Sequence, residues 1–168
     1  MRIISGIKKS IIIKAPKNLP VRPTTDKVKE SLFNIILNKF NFNEISVLDL
    51  FSGTGNISYE FISRGCTDLL SIDNNQKCIR FINKTASELE FNINTKKIDY
   101  KAFLKNNKKK FDIIFADPPY DFSIKQYLEI TELIKTNQIL SDTGELIIEH
   151  GSNIKISENF KNIDERKY

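Results

Sequence analysis

Short apolar segments alternate with amphipathic segments between residues 46 and 149, and this alternation limits the chain to few folds. Most of the apolar segments have the length and composition of strands that are buried on both sides. Strands of this kind, separated by helices, predict a parallel sheet with helices on both faces. The fold class is therefore α/β of the doubly wound type, in which ligands bind at the carboxyl ends of the strands.

The pattern also predicts where these elements lie. Strands are expected at Ser46–Phe51, Leu69–Asp73, Lys97–Asp99, Phe111–Ala116 and Glu145–Glu149. Helical spacing of apolar residues predicts a helix from Thr25 onward and helices at Asn56–Arg64, Asn75–Glu90 and Ile124–Asn137, with a helical turn at Ala102–Leu104. Residues 25–168 are thus expected to form one domain. Residues 1–24 are expected to form a short basic extension, hairpin-like in shape, that packs on this domain.

Positive charge is concentrated at the start of the chain. Residues 1–30 contain eight basic and two acidic groups, a net charge of +6, whereas the other 138 residues contain 18 basic and 19 acidic groups, a net charge of −1. A basic segment on a nearly neutral body is typical of a protein that binds a polyanion. Lys8 and Lys9 are therefore candidate contacts to a nucleic acid.

Several classes of protein are disfavoured by the composition. No apolar run approaches the roughly 18–20 residues that a membrane span needs, and the first residues lack the apolar stretch of a secretory signal. Cys66 and Cys78 match no metal-ligand spacing and cannot form a disulfide framework. We therefore expect a cytoplasmic monomer that uses no metal and does not contact a membrane.

A glycine-rich turn lies between the first predicted strand and the next helix, where free N–H groups favour ligand binding. The predicted cofactor contacts in this turn are Asp49, Phe51, Ser52, Gly53, Thr54 and Gly55. The glycines are expected to let the backbone pass close under a ligand. A dinucleotide fingerprint would have a third glycine where this chain has Ser58, and the Asp49 carboxylate would repel a pyrophosphate. A cationic ligand such as S-adenosylmethionine, which carries a sulfonium and an ammonium group, fits the turn better.

Acidic residues also lie at the ends of the second and third predicted strands. Asp73, which is followed by Asn74, is placed to accept hydrogen bonds from ribose hydroxyls. Asp99 is placed to accept a hydrogen bond from the adenine amine, with Tyr100 or Phe33 as a stacking surface. An aspartate at a strand end often caps the following helix instead. Three of them at successive strand ends, one beside a Gly-x-Gly turn, indicate an S-adenosylmethionine site.

The fourth predicted strand ends in Asp117-Pro118-Pro119-Tyr120. The two prolines hold the backbone extended and remove two N–H donors, so that the Asp117 carboxylate and the Pro118 carbonyl remain as acceptors. Two such acceptors can bind both hydrogens of an exocyclic amine on a base, and Asp117 can stabilise the positive charge that develops on its nitrogen. Tyr120 offers a flat surface to an unstacked base, and Pro119 is the remaining substrate contact of the motif. These residues predict methyl transfer to a base amine.

One further stretch separates this chain from other amino-methyltransferases: Arg22-Pro23-Thr24-Thr25-Asp26-Lys27-Val28-Lys29-Glu30-Ser31-Leu32-Phe33-Asn34-Ile35. With this stretch, with residues 1–6 and with the two motifs above, the sequence resembles the bacterial 16S ribosomal RNA guanine-N2 methyltransferases of the RsmD type over nearly its whole length. The resemblance implies a class I, Rossmann-like fold with a mostly parallel seven-stranded sheet. It also implies that the substrate is a guanine of 16S rRNA in the small ribosomal subunit.

The resemblance further implies that Arg22, Thr24 and Thr25 lie near the cofactor or the target base. Helix capping would explain these three residues equally well. The chain departs from the family pattern at Asp73, where the family commonly has Glu. The printed sequence also ends at Tyr168, where the family usually continues into a final antiparallel strand, so this strand is expected to be absent or outside the chain.

Four other functions fit part of the pattern. An adenine-N6 DNA methyltransferase uses the same Asp-Pro-Pro-Tyr motif, but such enzymes usually carry a separate target-recognition region, and the longest segment outside the core is residues 1–24. A glutamine methyltransferase more often has Asn in place of Asp117. A catalytically inactive RNA-binding scaffold would not need intact cofactor and catalytic motifs. A nicotinamide dehydrogenase is disfavoured by the incomplete glycine pattern and by the sole histidine, His150, which we interpret as structural.

Overall fold

The fold was derived from a computed structural model, which describes residues 1–16, 19, 24–151, 154 and 166. Its strands are β1 (Ser46–Asp49), β2 (Asp68–Asp73), β3 (Asn94–Lys97), β4 (Phe111–Ala116) and β5 (Leu140–Ile148). They form one parallel sheet in the order β3-β2-β1-β4-β5. The order reverses between β1 and β4, and such a switch point is where doubly wound sheets bind ligands. The predicted fold class is confirmed.

Five helices are present in the described residues; one precedes the first strand, and the other four connect successive strands. They are α1 (Asp26–Leu37), α2 (Asn56–Ser63), α3 (Gln76–Glu88), α4 (Tyr100–Asn106) and α5 (Ile124–Thr136). Three of them begin at side chains that accept hydrogen bonds from the first turn: Thr25 for α1, Asn75 for α3 and Asp99 for α4. Such caps satisfy backbone donors that have no partner inside the helix.

Some predicted boundaries were wrong. The third strand ends at Lys97, because Asp99 caps α4, and the predicted helical turn at 102–104 is part of that longer helix. The first strand ends at Asp49, where the backbone turns toward the cofactor loop. The fifth strand begins at Leu140, because residues 141–144 pair irregularly with β4 and do not end the strand. The last strands of a seven-stranded sheet would fall after residue 148, where few residues are described.

The central strands β1 and β4 are buried on both faces, as their apolar sequences predict, whereas the edge strand β3 is mostly exposed. Alternate residues of β1 point to opposite faces, so Val47 joins one apolar cluster and Leu48 joins the other. The first cluster includes residues from α1, α2 and α3, and the second includes residues from α4 and α5. The sheet is thus fixed between two helical layers, and the carboxyl ends of its strands are held at one rim.

The start of the chain forms a hairpin that packs along α2. Arg2 and Ile12 pair in antiparallel orientation, and the backbone of Ile3 is bonded to that of Ile11 and Ser10. The turn of the hairpin lies against the carboxyl end of α2, where the amide of Ile7 donates to the carbonyl of Ser63 at 2.7 Å. A Cβ on Gly6 would lie 1.7 Å from that carbonyl oxygen, so this close approach requires glycine.

Because the hairpin and α1 cover its outer side, all eight residues of α2 are buried. Among them is Glu60, whose carboxylate accepts hydrogen bonds from the amides of Ile4 and Ser5 at 2.8 and 3.0 Å. Arg64 donates to the same carboxylate at 2.8 Å, and the fully buried Lys29 lies 3.6 Å from it. One of the eight basic residues near the start of the chain is therefore structural and does not contribute to a basic surface.

Candidate active site

A cleft of about 980 Å³ opens at the carboxyl ends of β1, β2 and β4. It brings together most of the predicted cofactor and catalytic residues: Asp49, Phe51, Ser52, Gly53, Thr54, Asp73, Asn74, Asp99, Tyr100, Asp117, Pro118, Pro119 and Tyr120. A smaller groove of about 440 Å³ lies at the opposite end of the sheet and contains none of them. The sequence motifs therefore converge on one side of the molecule, at the switch in strand order.

The glycine-rich turn is held by bonds to the neighbouring strand. The amide of Gly53 donates to the Asp73 carboxylate at 2.9 Å, and the Ser52 hydroxyl donates to the carbonyl of Ile72 at 2.9 Å. Gly55 has φ +77°, and a Cβ there would lie 2.9 Å from the Tyr59 ring and 3.0 Å from Ile82. The space that a Cβ would take at Gly55 is filled by Tyr59 of α2 and Ile82 of α3, so packing against these helices requires glycine there, and the cofactor contact of Gly55 stays a prediction.

Asp49 is a buried carboxylate at the start of this turn. It is 2% exposed and accepts a hydrogen bond from the Ser58 hydroxyl at 2.5 Å. Burial raises its pKa to about 7, the Ser58 hydroxyl opposes this shift, and the negative charge of Asp73 adds to it. A bound cation stabilises the charged form of a buried carboxylate more than that of an exposed one, because less water screens the interaction.

The shifted pKa of Asp49 predicts a pH-dependent stability. The folded chain keeps Asp49 protonated up to about pH 7, whereas the unfolded chain ionises it near 3.8. The folded state binds the extra proton in this window, so this group lowers the free energy of unfolding as pH rises from about 4 to about 7. Between these pH values we expect the free energy of unfolding of wild type to fall by about 1.4 kcal/mol per pH unit relative to that of Asp49→Asn.

Urea unfolding at a series of pH values measures this difference. Asp121→Asn, at an exposed position, is the matched control and should give a curve parallel to that of wild type. Parallel curves for wild type and Asp49→Asn would contradict the raised pKa.

Asp73 and Asp99 make different contacts. Both carboxylate oxygens of Asp73 accept backbone hydrogen bonds, from Gly53 at 2.9 Å and from Asn75 at 2.7 Å, and burial raises its pKa. Asp99 caps α4, with one oxygen accepting from Lys101 and Ala102. Each carboxylate oxygen has two lone pairs, so both residues combine a structural bond with the capacity to bind a ligand.

An aromatic wall borders the cleft on the side of β4 and α4. The Phe51 ring lies 5.1 Å from Tyr100 and 5.6 Å from Phe122, measured between centroids, and all three line the cleft. The predicted stacking surface at Tyr100 therefore lies in the cleft. Phe33, the other candidate, does not, since it is fully buried against Phe42 and Phe61 in the core.

The Asp117-Pro118-Pro119-Tyr120 segment follows β4 directly. Pro118 is buried, Pro119 is exposed, and Tyr120 is 56% exposed at the mouth of the cleft. Burial raises the pKa of Asp117 to about 7, and the negative charges of Glu149 and Asp49 add to the shift. The neighbouring strand explains the effect of Glu149, whose amide donates to the carbonyl of Ala116 at 2.9 Å.

The predicted substrate contacts are dispersed. Thr24 lines the cleft, whereas Thr25 caps α1 and is exposed. Arg22 lies outside the described residues. Lys8 and Lys9 lie in the hairpin turn, where the Lys8 amide is bonded to the Ser63 hydroxyl and its ammonium pairs with Glu90 at 3.6 Å. This turn is at the end of α2 remote from the cleft, about 12 Å away along the helix.

Among the residues at the site that were not predicted, three bear on its geometry or charge. Phe122 completes the aromatic wall. Its position two residues after Tyr120 was the feature of the sequence that could have identified it. Glu149 lies beside Asp117 only because β5 pairs with β4. Asn56 lines the cleft at the start of α2. The signal for it in the sequence was a polar residue directly after the glycine-rich turn.

No helix in residues 24–151 is both long and apolar enough to cross a membrane. Within the same part of the chain, no group of three or more His, Cys, Asp or Glu residues is arranged to hold a metal ion.

The parallel sheet, its strand order and the cleft at the switch point define a class I S-adenosylmethionine-dependent methyltransferase fold, which solved methyltransferases share. The family model described as "Conserved hypothetical protein 95" matches residues 1–168. The chain belongs to this family, and the predicted RsmD-type relationship is confirmed.

Individual relatives agree with this assignment. The chain is 35% identical over 164 residues to YlbH of Bacillus subtilis (strain 168), covering 94% of this chain and 86% of that protein. It is 34% identical over 139 residues to ribosomal RNA small subunit methyltransferase D of Buchnera aphidicola subsp. Baizongia pistaciae, covering 82% of this chain and 69% of that protein. The solved structure of the Escherichia coli protein yhhF superposes with a TM-score of 0.78 at 27% identity, covering 89% and 80% of the two chains.

Proposed function

We propose that this protein transfers a methyl group from S-adenosylmethionine to the exocyclic N2 amine of a guanine in 16S rRNA of the small ribosomal subunit. The observation that carries this proposal is the convergence of two motifs on one cleft. The acids at the ends of β1 and β2 and the Asp117-Pro118-Pro119-Tyr120 segment after β4 line the same cleft. A donor site and an acceptor site for a methyl group are thereby adjacent.

The chemistry of the lining fits S-adenosylmethionine. Asp49, Asp73 and Asp117 line the cleft, and Asp49 raises the pKa of Asp117 as Asp73 raises that of Asp49. Such mutual repulsion disfavours a phosphate ligand and favours a cation. Asp49 would hold the ammonium, Asp73 the ribose hydroxyls, and Asp99 with Tyr100 the adenine. When bound, this cofactor supplies an electrophilic methyl group on a sulfonium.

The residues after β4 would activate the acceptor. The Asp117 carboxylate and the Pro118 carbonyl accept the two amine hydrogens, which directs the nitrogen lone pair toward the methyl group. Asp117 then stabilises the developing positive charge and accepts the released proton, for which a pKa of about 7 is well suited. Tyr120, exposed at the mouth, stacks on the unpaired base.

The choice of substrate rests on the family. Three further relatives named ribosomal RNA small subunit methyltransferase D, from Buchnera, Haemophilus influenzae and Escherichia coli, align over 75–89% of this chain. Guanine N2 in rRNA is therefore preferred over adenine N6 in DNA.

A tritium-transfer assay tests the proposal. Small ribosomal subunits from a strain that lacks this activity would be offered beside naked 16S RNA, 23S RNA and duplex DNA, with the product nucleoside identified by mass. We expect N2-methylguanosine from the small subunit. N6-methyladenine from DNA would replace the proposed substrate with a DNA adenine. Cofactor binding with no transfer to any substrate would instead favour an inactive RNA-binding scaffold.

The lysines of the hairpin provide a second test. Neutralising Lys8, Lys9 and Lys14 by glutamine is expected to weaken RNA binding and to lower the slope of log K against log salt by about one unit per lost phosphate contact. Because Lys8 and Lys9 lie in the turn remote from the cleft, the effect of neutralising these two residues should appear with whole subunits and not with a short oligonucleotide. An unchanged slope with subunits would show that the hairpin does not contact RNA.

A further inference from the structure

Asn56 connects two segments that border the candidate active site. It is the first residue of α2, directly after the glycine-rich turn, and it is 8% exposed. Its amide nitrogen donates to the backbone carbonyl of Thr24 at 3.2 Å, and its amide oxygen accepts from Lys29 at 3.0 Å. Both Asn56 and Thr24 line the cleft. One side chain thus links the segment that precedes α1 to the turn that follows β1.

Lys29 sets the orientation of this amide. An ammonium group only donates hydrogen bonds, so the amide oxygen of Asn56 has to face Lys29, and the amide nitrogen is left to face Thr24. Lys29 is fully buried, donates also to the carbonyl of Arg2, and lies 3.6 Å from the Glu60 carboxylate. Burial lowers the pKa of Lys29, while the charge of Glu60 favours its protonated form. This arrangement leaves Asn56 one favourable orientation.

The surrounding contacts indicate that losing this link would have a local effect. The turn before α2 is closed independently, by a 2.6 Å bond from the amide of Gly55 to the carbonyl of Ser52. Helix α1 is anchored independently by Phe33 and Ile36 in the core. For Thr24, by contrast, the hydrogen bond from Asn56 joins its carbonyl to the wall of the cleft.

We propose that Asn56 is a positioning residue: it holds Thr24 against the cofactor turn, so that this wall of the cleft is in place for the methyl acceptor, and Lys29 fixes its amide. The identity of the acceptor, an RNA base, rests on the proposed function, whereas the link between the two segments does not. As a consequence, the segment that contains Thr24 and the glycine-rich turn are held at a constant position relative to each other.

Two substitutions isolate the link. Asn56→Asp retains an acceptor for Lys29, and Asn56→Ala retains neutrality, while both remove the hydrogen that is donated to Thr24. We expect both to lower kcat/KM for the small subunit about tenfold, mainly through KM, and to leave the Kd for S-adenosylmethionine within about twofold. Because only Asn56→Asp adds charge, a loss shared by both variants cannot come from repulsion of the RNA.

The matched controls are Asn83→Asp and Asn83→Ala on the exposed side of α3, where Asn83 accepts from the Thr95 hydroxyl. They make the same chemical changes outside the cleft and should resemble wild type. Thermal melting checks that all variants fold, and if Asn56→Ala does not, Asn56→Asp decides alone.

Hydrogen exchange gives a readout that does not depend on the reaction. We expect the amides of Val28 and Lys29, which are hydrogen-bonded to Thr25, to exchange at least about fivefold faster in both Asn56 variants. If wild type methylates no RNA, the proposed function fails, and hydrogen exchange alone then tests whether Asn56 holds Thr24 in place. Unchanged exchange in a folded Asn56 variant would overturn the inference, and so would an unchanged KM where wild type is active.

Discussion

Replacing Asp117 by alanine is expected to lower the rate of methyl transfer by roughly 10³-fold while the affinity for S-adenosylmethionine stays within about twofold. The carboxylate would be lost as acceptor of the amine hydrogen and as the group that stabilises positive charge on the nitrogen. Its contribution is large because burial has removed most of the water that would otherwise screen it.

The fold should tolerate this change. A carboxyl group whose pKa is raised by burial is not stabilised by its surroundings in the charged form, so removing it relieves unfavourable desolvation near neutral pH. Single-turnover transfer measures the rate, and isothermal titration measures cofactor affinity. Asp121→Ala is the matched control, since this exposed aspartate follows Tyr120 directly. Unchanged turnover in Asp117→Ala would remove Asp117 from the mechanism.

Replacing Glu60 by alanine is expected to lower the free energy of unfolding by roughly 3–5 kcal/mol, the usual cost of leaving a buried charge without its partner. Lys29 would remain fully buried without its counter-charge, and Arg64 would lose its 2.8 Å ion pair. The amides of Ile4 and Ser5 would lose their acceptor as well. The hairpin should therefore detach from α2 before the sheet unfolds.

Urea unfolding and thermal melting measure this effect, with a decrease in Tm of about 10 °C expected for a domain of this size. Glu88→Ala is the matched control, because Glu88 forms an exposed pair with Lys84 at 3.7 Å, and exposed pairs contribute about 0–1 kcal/mol. A loss in Glu60→Ala as small as that in the control would show that the buried network is not what holds the hairpin.

Much of the cofactor side of the site could be predicted without coordinates. Asp49, Asp73 and the glycine-rich turn belong to strand ends and to the first turn of a helix, and the ends of parallel strands meet at one rim of a sheet. The same reasoning located Asp117 and its prolines. Since this local order is a property of consecutive residues, periodicity and turn chemistry were sufficient to predict it.

Other features depended on which elements pack together. Glu149 acts on Asp117 through the pairing of β5 with β4, more than 30 positions apart in the chain. From the sequence, Lys29 is indistinguishable from the other basic residues near the start of the chain. It can be buried because Glu60 of α2 lies beside it and neutralises its charge. Phe33 is a possible stacking surface by its sequence position, but it is fully buried in the core against Phe42 and Phe61.

By itself, then, the sequence determined the fold class, the family and the residues at the ends of the strands. The tertiary structure alone decided which charges are buried, that Gly55 packs against Tyr59 and Ile82, and that Asn56 is hydrogen-bonded to Thr24. The physical reason is the range of the interactions. Hydrophobic periodicity and helix capping act within a few residues of the chain, whereas desolvation and ion pairing depend on neighbours that only the packed fold supplies.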